Sequence, residues 1–337
     1  MERQSNIELF RIVACFFILI VHCNGWFLKE WGNIQSWYAG RDVFVGFSRT
    51  FIQSFSCIGV DCFILISGYF SIKPKIKSLV NIVSILLFFY IGTYLCNCWY
   101  TKQPIQIIEL FKHSMVFSRE NWFVQCYLFL LLLSPMINMF ASKISEQQLL
   151  RYVLVFLFCA FYFGCIHDSK YFYFNRGYSI TSFILIYLVG RYIGLYGVNK
   201  FRNISTLRLF LMYCCSIGVI MLVRWLPLDE EQYLSYSSPF LIVSASILLL
   251  CFTRINIQNR IINWIASSSL AVFIFHVSTP IIHILANYDV NIFMNNSFGV
   301  YIMYISIAII ICFFLAVLLD KIRYFLFKPI LKFFDEK

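Results

Sequence analysis

Ten mostly apolar runs, each near the length that crosses a bilayer hydrocarbon core, constrain this chain more than any other feature. They lie near 7–27, 46–70, 78–99, 122–140, 149–166, 178–196, 207–226, 237–253, 262–285 and 298–319. Backbone polar groups in lipid must be satisfied within the segment, so runs of this kind fold as helices. The expected fold is all-α: a polytopic transmembrane bundle of about ten spans, forming one membrane-embedded domain over residues 1–337 with no appended soluble domain. Only 13% of residues are charged, against about 25% in an average soluble domain. The first run could be mistaken for a signal peptide. Its length, Arg11 and His22 within it, and the poor cleavage site Cys23-Asn24-Gly25-Trp26 argue for a retained helix.

Basic residues set the orientation. With the N-terminus inside, the inner loops hold Lys73, Lys75 and Lys77, then Lys143 and Arg151 with Glu146, then Lys200, Arg202 and Arg208, then Arg254 and Arg260. Asp229, Glu230 and Glu231 fall outside, and the tail with Lys321, Arg323, Lys328, Lys332 and Lys337 falls inside. Both termini are therefore expected to be cytoplasmic. The net charge of +11 is distributed as a topology signal and does not call for nucleic acid.

The first run, Asn6 to Phe27, carries two ionisable residues, Arg11 and His22. Eleven residues on a helix amount to three turns plus roughly 20°, so the two share a face about 16 Å apart. Glu8, three residues before Arg11, is placed to hold its guanidinium. Intramembrane ionisable residues mark functional sites by default. The plainer alternatives are an arginine snorkelling at the inner end and a histidine bonded to a neighbouring helix.

Other stretches carry similar ambiguity. Asp61, in Gly59-Val60-Asp61-Cys62-Phe63, is either a functional carboxylate or half of a buried pair with Arg49 or Arg191. Ser67-Gly68 before Tyr69 allows either a ligand or another helix to approach the backbone. Lys73 and Lys75 orient the chain, and could also attract phosphates. Trp122, after Asn121, suits an interfacial aromatic belt. His276, in the ninth run after Ser269-Leu270, is a second intramembrane histidine, whereas His113, His167 and His283 lie in loops or near ends and receive no role. The thirteen cysteines form no CxxC pair and fall mostly in apolar runs, so they read as packing residues and no metal is expected.

Taken together, these blocks resemble the acyltransferase family 3 membrane proteins, which O-acylate cell-surface glycans and other extracytoplasmic acceptors. The resemblance rests on Arg11-x10-His22, Gly59-Val60-Asp61-x-Phe63 with Ser67-Gly68-Tyr69, Trp122-Phe123 with Tyr127 and Ser134-Pro135, and Ser269-Leu270 with His276, and it covers nearly the whole chain. One departure is plain: where many members carry Arg-x-x-Arg after the second span, this chain has Lys73, Lys75 and Lys77. The resemblance implies an acyl-CoA donor, most often acetyl-CoA, and a glycan or lipid-linked glycan acceptor at the inner (cytoplasmic) membrane. His22 would be the general base or a transient acyl carrier, with Arg11 beside it. Glu8, Asp61, Trp122 and His276 would support them, and Ser67, Gly68, Tyr69, Lys73 and Lys75 would meet the donor. Without the resemblance, a proton-coupled transporter or flippase using His22, Asp61 and His276, or a scaffold using them for packing, would fit the same residues. Consumption of acyl-CoA separates the enzyme from both.

Overall fold

The computed structural model describes residues 4–34, 42–114, 122–167, 171–223 and 230–334. Asn121, Asp229 and Lys337, used in the sequence reading, lie outside them. The described residues form helices α1 (Ser5–Glu30), α2 (Val43–Tyr69), α3 (Ile76–Thr101), α4 (Ile107–Ser114), α5 (Trp122–Lys143), α6 (Glu146–Ile166), α7 (Ile180–Lys200), α8 (Thr206–Val223), α9 (Pro239–Thr253), α10 (Arg260–Val277), α11 (Thr279–Asn295) and α12 (Phe298–Phe333). Nine of them are long and apolar enough to cross a membrane, and α9, at the eighth expected run, is a shorter apolar helix of 15 residues. The chain is thus an all-α polytopic bundle.

Several runs are not single rods. The second breaks between Ser56 and Gly59, and the ninth breaks at Ser278, whose extended backbone separates α10 from α11. Pro280 fits there because the first turn of a helix has no use for its missing N–H. The first run changes geometry at His22, where a π-helical turn, His22–Phe27, interrupts α1.

The contacts divide the chain into two compact units. The first comprises residues 1–17, 50–74 and 122–263. Its tightest crossing is between the Gly59–Tyr69 part of α2 and α7. A side chain at Gly68 would collide with the Tyr187 carbonyl, one at Gly190 with the Leu65 carbonyl, and one at Gly194 would lie 2.6 Å from the Tyr69 carbonyl. Small residues let the backbones touch, and in lipid that packing is a main driving force for association. Nearby, Tyr213 donates its hydroxyl to the Phe55 carbonyl (2.8 Å), satisfying an acceptor close to the α2 break.

The second unit comprises residues 18–49, 75–121 and 264–337. Here α12 runs for 36 residues, about 54 Å at 1.5 Å each, well beyond a core about 30 Å thick. Arg323, read from sequence as a cytoplasmic tail residue, is buried on this helix. Its Nε donates to Asp320 at 2.7 Å, and Nη1 donates to Asn81 Oδ1 (3.0 Å) and Ser84 Oγ (2.6 Å) of α3. Lys321 likewise donates to the Trp264 carbonyl and Ser267 Oγ of α10.

Candidate functional site

In the second unit, two imidazoles from opposite ends of the sequence meet. His22 Nδ1 lies 2.7 Å from His276 Nε2, and the other nitrogen of His276, Nδ1, lies 3.0 Å from the Val272 carbonyl one turn earlier on α10. His276 is fully buried and His22 half-buried. The Trp26 ring sits against His22 edge to face, with centroids 5.0 Å apart. His22 Nε2 has no hydrogen-bond partner among the described residues.

The turn that carries His22 is held by a residue the sequence reading used differently. Arg49, fully buried, donates from Nη2 to the Asn24 carbonyl (2.8 Å), and Asn24 Nδ2 donates back to the Arg49 carbonyl (3.0 Å). A π-helical turn bonds carbonyls five residues back rather than four, which leaves acceptors for such a clamp. Arg49 also faces the Phe293 ring, 5.3 Å from its centroid. Nothing in sequence marks this clamp except that Arg49 is a cation in an apolar run.

Close to His276 in the chain, a groove of about 330 Å³ opens between α3 and α11. Tyr90, Tyr94, Asn97, Thr279, His283 and Asn287 line it, and no Asp, Glu, Lys or Arg does. His283, given no role from sequence, contacts Trp31 (5.8 Å between centroids), Trp31 contacts Trp26 (5.9 Å), and Trp26 contacts His22. An unbroken series of rings therefore joins the groove to the imidazole pair.

The first unit holds the remaining candidates. Arg11 Nη1 donates to both oxygens of Glu8, at 3.0 and 3.3 Å. Asp61 is fully buried, and neither of its oxygens has a hydrogen-bond partner, so the pairing with Arg49 or Arg191 is not made. Both arginines are committed to other surroundings: Arg49 to the Asn24 clamp, Arg191 to the α2–α7 crossing beside Gly68. Trp122 stands in an aromatic cluster rather than alone at a boundary, 4.5 Å from Tyr178 and stacked on Tyr236 at 6.1 Å. The Tyr236 phenol is pushed well above its ordinary range by burial first, then by Tyr178 and Asp61. Ser67 donates to the Phe63 carbonyl (3.0 Å) and lies 3.4 Å from the Tyr127 hydroxyl. Gly68 is occupied by the α7 backbone, which is the helix-packing alternative. The Tyr69 ring packs edge to face on Phe70. Lys73 and Lys75 are exposed. Among the described residues, no three His, Cys, Asp or Glu side chains gather as metal ligands would.

Apolar spanning helices with a buried imidazole pair define a multi-pass membrane protein with a polar centre capable of moving a proton. The model for one family, described as an acyltransferase domain, matches residues 4–317, and the chain belongs to this family, acyltransferase family 3. Searches of curated proteins and of solved structures found no match.

Proposed function

We propose that the protein transfers an acyl group, most simply acetyl, from cytoplasmic acyl-CoA to a hydroxyl of an extracytoplasmic or lipid-linked glycan, with His22 as general base. The observation that carries this reading is the His22–His276 pair in a chain of an acyltransferase family. His22 takes the proton of the acceptor hydroxyl as its oxygen attacks the thioester carbonyl. The carbon–sulfur bond breaks, and the CoA sulfur leaves with the electron pair and takes up a proton. A neutral imidazole suits this exchange near pH 7. Transfer through an acyl-histidine would use the same residue. The direct test supplies labelled acetyl-CoA to membranes containing the protein and follows label into ester-linked glycan. Solute movement without acetyl-CoA consumption would replace this reading with the transporter.

Two features support the substrate assignments. Tyrosines, amides and hydroxyls without a formal charge make the α3–α11 groove suited to a neutral, polyhydroxylated ring, and about 330 Å³ is within the range of small-ligand sites. Replacing Asn97 and Asn287 together by alanine is expected to raise the KM for glycan about tenfold, since each lost hydrogen bond is worth roughly 0.5–1.5 kcal/mol, and to leave the donor KM alone. An unchanged glycan KM would remove the groove from the acceptor path.

Exposed Lys73 and Lys75, at the expected inner face, suit the phosphates of CoA. Changing both to glutamine is expected to raise the donor KM, with the increase shrinking at high salt because exposed charges are screened. A donor KM independent of both the substitution and salt would leave these lysines as topology signals.

A further inference from the structure

Hydrogen-bond direction at the two imidazoles follows from one carbonyl. The Val272 oxygen can only accept, so the His276 Nδ1 at 3.0 Å from it must carry a hydrogen. A neutral imidazole has a single N–H, which leaves a lone pair on His276 Nε2. That nitrogen faces His22 Nδ1 at 2.7 Å, and a nitrogen–nitrogen contact this short needs one proton between the two. The proton therefore belongs to His22 Nδ1. The opposite arrangement would require His276 to be an imidazolium, with His22 accepting at Nδ1. His276 is fully exposed to none of the solvent, and no carboxylate bonds either ring, so that charge would be buried without a counter-ion.

We propose that His276 is a positioning residue that holds His22 in the Nδ1–H tautomer, making Nε2 the nitrogen that takes the acceptor proton. This rests on His22 being the base, as proposed above. Val272, His276 and His22 then form a directed series: the carbonyl accepts from His276 Nδ1, His276 Nε2 accepts from His22 Nδ1, and His22 Nε2 presents its lone pair. When Nε2 gains a proton, the Nδ1–H becomes a cationic donor, and its bond to His276 strengthens as charge-assisted bonds do. A buried carboxylate does this in a catalytic triad; here a neutral ring does it, with no second charge to bury. The Arg49–Asn24 clamp and the Trp26 edge keep the His22 ring aligned.

Nitrogen NMR of purified, monodisperse protein carrying ring-labelled histidine tests this in the unaltered enzyme. His22→Gln and His276→Gln spectra assign the two rings. The expected result is a protonated Nδ1 and a bare Nε2 on His22. His276→Leu, which removes the acceptor, is expected to lower kcat about 10²-fold, the scale of a misaligned reacting group, with donor KM little changed. His276→Gln, whose Oε1 can accept from His22 Nδ1, is expected to restore part of that loss. A His22 protonated at Nε2 in the unaltered protein overturns the proposal, as does a folded His276→Leu enzyme with normal kcat and an unchanged His22 tautomer. Failure of the wider reading looks different: His22→Gln would then turn over normally whichever nitrogen carries the proton.

Discussion

Replacing His22 by glutamine is expected to lower acyl transfer about 10²–10⁴-fold, the usual contribution of a general base. The amide keeps a hydrogen-bonding side chain of similar reach but cannot take up a proton, so His22→Ala should be no less damaging. The measurement is acetyl transfer to glycan in membranes, with the extracted protein checked for monodispersity so that a folding defect is not mistaken for lost chemistry. His22 is half-buried and makes its one hydrogen bond to His276, which leaves the bundle little dependent on its proton. A well-folded His22→Gln protein with near-normal turnover would refute the assignment.

The second large effect is on stability. Asp320→Ala leaves Arg323 buried without its carboxylate, and breaking a buried ion pair by removing one partner costs about 3–5 kcal/mol. Asn81 and Ser84 would still accept from Nη1, but they carry no charge to offset the guanidinium. The unfolding temperature of the detergent-solubilised variant should drop clearly. Adding Arg323→Met should recover most of the loss, because well-packed apolar replacements for buried pairs are often neutral. If Asp320→Ala unfolds at the original temperature, the network contributes nothing to the fold.

Positions of the spans were legible because composition and length alone decide what crosses a bilayer. The Glu8–Arg11 contact was legible too, since three-residue spacing on a helix is a local rule. What sequence could not offer was the meeting of His22 with His276, which are 254 residues apart: helical periodicity orients a side chain on its own helix but not toward a partner. Arg49 shows the same limit. A buried cation must find acceptors, and sequence suggested the nearest carboxylate, Asp61, whereas the structure gives it a carbonyl of the π-helical turn. Arg323 was misread for another reason. Counting positive charges assumes that each lies in water, and Asp320, one turn away on the same helix, allows this one to be buried instead.

The π-helical turn at His22–Phe27 has a bearing on how this helix can change. Such a turn accommodates one residue more than regular winding would, and each residue advances a helix by about 100° and 1.5 Å. Removing any one residue between Cys23 and Phe27 would let the winding close into ordinary α-helix and swing everything beyond it by roughly a third of a turn relative to His22. Trp31, which now meets both Trp26 and His283, would be carried off that line. The spacing from His22 to Trp31 is therefore a ruler as much as a sequence, more tolerant of a changed side chain than of a changed count.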